Sequence, residues 1–310
     1  LNPKWKNGRI SRQNWKVIIM NNIAAALGFF DGVHSGHKMI AEKVVNSGFF
    51  PVVYTFDKHP KSVLGAENEL IFTNERKKEA FLSLGIKEVI FEKTTPEFLK
   101  MPPKDFIEDI LIKRLCCKYI AVGEDYTFGS GGMGNSLYLK SECEKHGVFV
   151  EIIPFIKHNG HKVSSSYIKT LIRSGDIDLA SSLTALPYEI SGTVISGRHD
   201  GAKFGFPTAN VLPPNGLLLP PNGVYFTNTY IDGKIYPSVT NLGFAPTCGE
   251  NQKMCETNLL NFDGDLYGKY IKTEFLHFCR SEKKFDGIDA LKAQIKNDVA
   301  ERENYNGTNR

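Results

Sequence analysis

Residues 28–37 read Gly28, Phe29, Phe30, Asp31, Gly32, Val33, His34, Ser35, Gly36, His37, directly after an apolar run and before a helix-like one. Glycines let a backbone approach a ligand closely. A helix start offers unpaired backbone amides and the positive end of a dipole to an anion. His34 and His37, three residues apart, share one face of the first turn. Such a pair can donate hydrogen bonds to phosphate oxygens and to charge developing on a transferred phosphoryl group. The same two histidines could also hold a metal or merely shape a loop. Their place between strand and helix favours the phosphate reading, with Gly28, Phe29, Asp31 and Gly36 as the nucleotide-facing neighbours.

A second constellation lies further on. Gly197, Arg198, Gly201 and Lys203 make a glycine-rich basic turn that could cradle phosphates through backbone amides. The step Pro207-Thr208-Ala209-Asn210 follows. Thr208 and Asn210 put two neutral oxygens on one side of an extended segment, which suits a hydrated Mg2+ shared with phosphates. Between these regions, Ser164, Ser165 and Ser166 precede a helix-like stretch that carries Lys169. The serines read equally as an N-cap cluster or as phosphate contacts, and the Lys169 charge favours phosphate.

The elements that must position these residues fall into two patterns. From residue 17 to 183, short apolar runs (23–27, 51–56, 89–91, 119–122) alternate with helix-like stretches (38–46, 75–84, 103–115, 177–183). That alternation predicts a parallel sheet covered on both faces. From Ile190 the pattern changes to short alternating strands, such as 223–230 before the Asp232-Gly233 turn. This half predicts an antiparallel sheet or barrel. Ile288, Leu291, Ile295 and Val299 recur at helical spacing and predict a closing helix with an apolar face. The expected domains are 1–185 and 186–310, with the first ~15 residues and the tail 301–310 peripheral.

A chain of 310 residues with 41% hydrophobic content has the length of about two domains and excludes a disordered or fibrous protein. The formal net charge of +4 is too balanced to argue for nucleic acid. No run approaches the roughly 18 apolar residues of a membrane span, and no secretory leader is legible, although the chain starts at Leu1. A cytoplasmic protein is expected. Its six cysteines form no CxxC pair and read as reduced thiols.

These motifs together resemble the prokaryotic bifunctional riboflavin kinase/FMN adenylyltransferase (FAD synthetase) family. Thr55-Phe56-Asp57-Lys58-His59-Pro60 is similar to that family's second motif, with Lys58 replacing proline, and 123–129 to its flavin-side segment, with Gly132 in place of a later arginine. Residues 163–169 resemble its serine-rich motif, with Lys169 in the arginine position; lysine keeps the charge and loses the bidentate fork. Residues 192–211, 241–247, 256–260 and 265–268 resemble the riboflavin kinase signature in order. Ala202 and Ala245 replace arginines and Asn258 a histidine.

The resemblance implies an α/β nucleotidyltransferase domain with a Rossmann-like parallel sheet, followed by a small antiparallel β-barrel kinase domain. It implies Glu256 as general base, Thr208 and Asn210 as Mg2+ ligands, and His59, Asp125 and Phe128 on the flavin side. His34 and His37 would serve adenylyl transfer. ATP, riboflavin, FMN and FAD are the implied substrates and products. The expected partners are those small molecules, with no nucleic acid and no membrane, and a homo-oligomer is the one assembly considered. The alternatives are an FMN adenylyltransferase with a degenerate kinase half, and a non-catalytic flavin-binding regulator.

Overall fold

The computed structural model describes residues 22–63, 65, 68–196, 208–244 and 252–305. The backbone forms two compact units: residues 1–68 with 74–164, and residues 69–73 with 165–310.

In the first unit, β1 (Ile23–Leu27), β2 (Phe50–Phe56), β3 (Glu88–Glu92), β4 (Cys117–Gly123) and β5 (Phe149–Ile153) form one sheet in the order β3-β2-β1-β4-β5. Every pairing is parallel. This is the expected architecture, and β1 shows why it was legible: all five of its residues, Ile-Ala-Ala-Ala-Leu, are buried. A strand covered on both faces needs an unbroken apolar run. The helices α1 (Ser35–Val45), α2 (Asn74–Ser83) and α3 (Ser136–Glu144) follow β1, β2 and β4 in the chain.

Two expected boundaries move. The helix expected at 38–46 begins at Ser35, because His34 is extended (φ −73°, ψ 175°) and ends the loop one residue earlier. The stretch 103–115 becomes a short turn, Pro103–Asp105, leading into a π-helix, Phe106–Arg114. The wider i→i+5 turn still buries Phe106, Ile107, Ile110 and Leu111 against the sheet core around Leu27, Tyr54 and Ile120.

The second unit opens with α4 (Ser165–Ser174) and α5 (Ile177–Ser182). Its strands are β6 (Glu189–Thr193), β7 (Ala209–Val211), β8 (Gly223–Ile231), β9 (Lys234–Phe244), β10 (Lys253–Leu259) and β11 (Tyr270–Arg280). They pair antiparallel in the order β6-β11-β8-β9-β10-β7. The Ile195 amide donates to the Asn210 carbonyl at 2.9 Å, so the residues after β6 meet β7 and nearly close the barrel. Part of the buried barrel packing is polar. Thr227 contacts Ser238 and Thr240, Ser238 contacts Thr229, and Thr240 contacts Thr257, each at 2.7–3.0 Å and all buried. The strip 69–73 joins this unit through Leu70, whose amide donates to the Gly216 carbonyl and whose carbonyl accepts from the Leu218 amide.

The closing helix α6 runs over Ile288–Asn304, so residues 301–304, expected as peripheral tail, are helical. Its apolar stripe is not what it buries most deeply. Ile288 is exposed, while Asp298 and Arg302 are the buried residues. Both are paired: Arg280 donates from Nε and a terminal nitrogen to Asp298, at 3.0 and 2.6 Å. Arg302 donates to the Thr227 carbonyl and to Asn228 Oδ1. The first ~15 residues, expected to be peripheral, lie outside the described residues, as does Cys248.

Candidate functional site

The sheet order of the first unit reverses direction between β1 and β4, and in open parallel sheets the crevice beyond that reversal is where ligands bind. The turn 28–34 leaves β1 at that point. Its path is strained: Phe30 (φ 58°) and Val33 (φ 39°) occupy the left-handed region beside Gly32 (φ 78°). For a buried, β-branched valine this conformation persists only where the surroundings over-determine it.

Those surroundings are explicit. The Phe29 carbonyl accepts from Thr55 Oγ1 at 3.0 Å and from Lys77 Nζ at 2.8 Å. The Phe29 ring meets the His59 ring edge-on at 4.5 Å between centroids and lies 4.0 Å under the Lys77 ammonium. The Phe30 ring packs edge-on against His37 and Phe81. A Cβ on Gly28 would come within 2.9 Å of the Phe30 ring, and one on Gly36 within 3.2 Å of His34. A side chain at position 28 would force the Phe30 ring to move, and one at position 36 would crowd the His34 ring.

His34 and His37 come together as the spacing predicts, with their rings stacked at 3.6 Å. Burial pushes the His34 imidazole down to about 4, with Asp125 opposing and Lys162 adding to the effect. Burial also holds His37 well below its ordinary value, reinforced by His34 and Lys77. Both rings are thus neutral at pH 7. Their Nδ1 atoms are buried without a hydrogen-bond partner. A buried polar atom left unpaired is costly, and an incoming polar ligand is one way to satisfy it. Asp31 is buried in the same turn.

Of the flavin-side residues, Asp125 follows the end of β4 and pairs with Lys162 at 3.0 Å. His59 accepts from the Lys61 amide. Phe128 sits in the hydrophobic core, stacked on Tyr126 and tilted against Phe106. Ser164 belongs to the first unit, whereas Ser165, Ser166 and Lys169 belong to the second, where Lys169 Nζ donates to the Glu69 carbonyl.

In the second unit a cavity of about 350 Å³ is lined by the polar residues Thr208, Asn241, Glu256 and Asn258 and by the apolar Phe285, Leu291, Ile295 and Val299, among others. This explains why the apolar stripe of α6 is only half-buried: Leu291, Ile295 and Val299 face an open space. Asn210 stands opposite Glu256 in the β7–β10 register and is buried. Thr208, Asn210 and Glu256 are thereby gathered at one place. Gly197, Arg198, Gly201 and Lys203, with Ala202 and Ala245, lie outside the described residues.

The two halves of the chain match two family models. Residues 18–167 match the FAD synthetase family and residues 184–306 the riboflavin kinase family. Over 294 residues the chain is 37% identical to the bifunctional riboflavin kinase/FMN adenylyltransferase of Bacillus subtilis (strain 168), covering 90% of this chain and 91% of that protein. The chain belongs to the bifunctional riboflavin kinase/FMN adenylyltransferase family. The Escherichia coli (strain K12) member is 32% identical over 279 residues, 88% of this chain and 89% of its own. A crystal structure described as a macrolide-efflux protein from Streptococcus pneumoniae matches with a TM-score of 0.84 at 27% identity, covering 92% of this chain and 95% of that one. Among the described residues no helix is long and apolar enough to cross a membrane. With both domains present in family order, the chain is an enzyme of flavin cofactor biosynthesis.

Sequence reasoning missed Lys77 and the Arg280–Asp298 pair. The signal for Lys77 was available: it lies three and four residues before Ala80 and Phe81, on the stripe of α2 that faces inward. A lysine on an apolar stripe marks a buried partner.

Proposed function

We propose that this chain phosphorylates riboflavin to FMN with ATP in its C-terminal half, 186–310, and adenylylates FMN to FAD with release of pyrophosphate in its N-terminal half, 1–185. The observation that carries the N-terminal assignment is the pair of stacked, neutral histidines with unpartnered Nδ1 atoms on a strained turn at the sheet's reversal point. In this reaction the FMN phosphate oxygen attacks the α-phosphorus of ATP, and the bond to the departing pyrophosphate breaks. No side chain need act as nucleophile, so alignment and charge stabilisation are the protein's task. A neutral imidazole donates one hydrogen bond. The negative charge of bound phosphates favours the protonated ring, and a protonated His34 or His37 donates from both nitrogens when the substrate is seated. The turn amides near Gly28, Phe29, Asp31 and Gly36 face the nucleotide, Ser164 adds a phosphate contact, and His59, Asp125 and Phe128 border the flavin.

In the C-terminal half Glu256 accepts the proton of the flavin's ribityl hydroxyl as that oxygen attacks the γ-phosphorus and the bond from that phosphorus to the departing ADP breaks. Glu256 is exposed and lines the cavity, where its carboxylate can reach a bound hydroxyl. Thr208 and Asn210 supply hard neutral oxygens beside it. Among the described residues no group of three or more His, Cys, Asp or Glu is placed to hold a metal. That donor set suits Mg2+, which retains waters and shares its shell with phosphates. The ion would neutralise phosphate charge. Gly197, Arg198, Gly201 and Lys203 complete the phosphate cradle in this reading.

The test is incubation of the chain with riboflavin, ATP and Mg2+, with the flavins separated by chromatography over time. FMN followed by FAD is the expected result. Conversion of supplied FMN with riboflavin untouched defeats the kinase half, and conversion of neither defeats both.

A further inference from the structure

We propose that Lys77 is a positioning residue for adenylyl transfer, holding the Phe29 carbonyl and through it the turn that carries His34 and His37. This rests on the reading of that turn as the adenylyl-transfer site.

Lys77 is 1% exposed on α2, and a buried ammonium is tolerated only where its surroundings compensate it. Its partners lie chiefly on the turn. Nζ donates to the Phe29 carbonyl across 48 residues of sequence and stands over the Phe29 ring. Asp31 supplies the nearby negative charge, and Phe91 is a more distant ring at 5.9 Å. Docking of α2 does not depend on this charge, since Ala80 and Phe81 are fully buried on the same face. What the ammonium fixes is the residue immediately before Phe30, where the backbone enters the left-handed region. Strained backbone relaxes when a restraint is removed. Thr55 Oγ1 shares the same acceptor, so the carbonyl is held from two sides, by β2 and by α2.

Loosening the carbonyl lets the turn drift, its histidine pair and its nucleotide-facing amides together, while the elements beyond the turn stay in place. That predicts a loss in kcat that is not accompanied by a comparable change in KM for FMN. Lys77→Met keeps the length of the side chain and removes its charge and donor. In the full chain we expect it to lower kcat for FAD formation about 100-fold, with KM for FMN changed less than about threefold. The riboflavin kinase rate, measured on the same preparation, stays at the wild-type level. Thr55→Val, which removes the second bond to the same carbonyl, lowers kcat in the same direction by a smaller factor. The double variant departs from the product of the two single effects, as expected for groups sharing one acceptor.

An unchanged kcat in Lys77→Met, a change confined to KM, or equal loss of both activities overturns the proposal. Where Lys77→Met does not fold by circular dichroism, Thr55→Val decides: a wild-type kcat there overturns it. His37→Ala runs alongside. If that variant retains FAD synthesis, the site reading itself fails; if it loses FAD synthesis while Lys77→Met does not, only the role of Lys77 fails.

Discussion

The His34 and His37 rings lie face to face, 3.6 Å between centroids and 23° between planes. His34 is the last extended residue before α1 and His37 sits in its first turn, so the helix start itself sets their overlap. Replacing His37 with alanine removes one of the two proposed donors at the reacting phosphate. FAD synthesis from FMN should fall by roughly 100-fold or more, while FMN formation from riboflavin persists. Equal loss of both rates would sink the two-site assignment.

The same burial makes stability depend on pH. His34 has an ordinary value of 6.5 when unfolded and about 4 when folded. Between those values the unfolded chain binds more protons, so stability rises with pH through the window and is lost as pH falls through it. The loss from this one group across the window is roughly 3 kcal/mol. Urea midpoints at pH 7 and pH 4.5 should differ more in the wild type than in His34→Gln. Equal differences would show that the ring is not the buried neutral group.

Glu256 faces the cavity from β10, beside Thr208. Glu256→Gln retains shape and removes the proton acceptor, so riboflavin phosphorylation should drop by roughly 100-fold or more. Adenylyl transfer from supplied FMN is expected to continue. A wild-type kinase rate in this variant would refute the role of general base.

Thr240 links Thr227 to Thr257 inside the barrel. Thr240→Val is close in volume and breaks both contacts, leaving buried hydroxyls short of a partner. A cost of about 1–3 kcal/mol follows, visible as a lower calorimetric transition for the second unit. A transition at the wild-type temperature would mean that these hydroxyls do not contribute to stability.

Much of this architecture was legible because its physics is local. The run at 23–27 had to be a central strand, and the glycines and histidines of 28–37 announced a ligand turn between strand and helix. The burial of Asp298 and Arg302 was not legible. Their partners, Arg280 and the Thr227 carbonyl, lie on strands far along the chain, and a charged residue on a helix reads as solvated until such a partner is known. The converse holds for Leu291 and Ile295, whose apolar character predicted a packed face and whose surroundings turned out to be a cavity. Lys77 failed to register for the first reason, since its acceptor is a main-chain carbonyl in another element.

The strip 69–73 lies between two stretches of the first unit, yet Leu70 makes its backbone bonds with Gly216 and Leu218. The two units are therefore interleaved along the chain rather than strung end to end. A protease cut between Ser164 and Ser165 would not liberate them as independent pieces, because the amino-terminal fragment would carry away an edge that the carboxy-terminal fragment needs. During synthesis that edge emerges early and must wait, unpaired, until the segment around Leu217 leaves the ribosome.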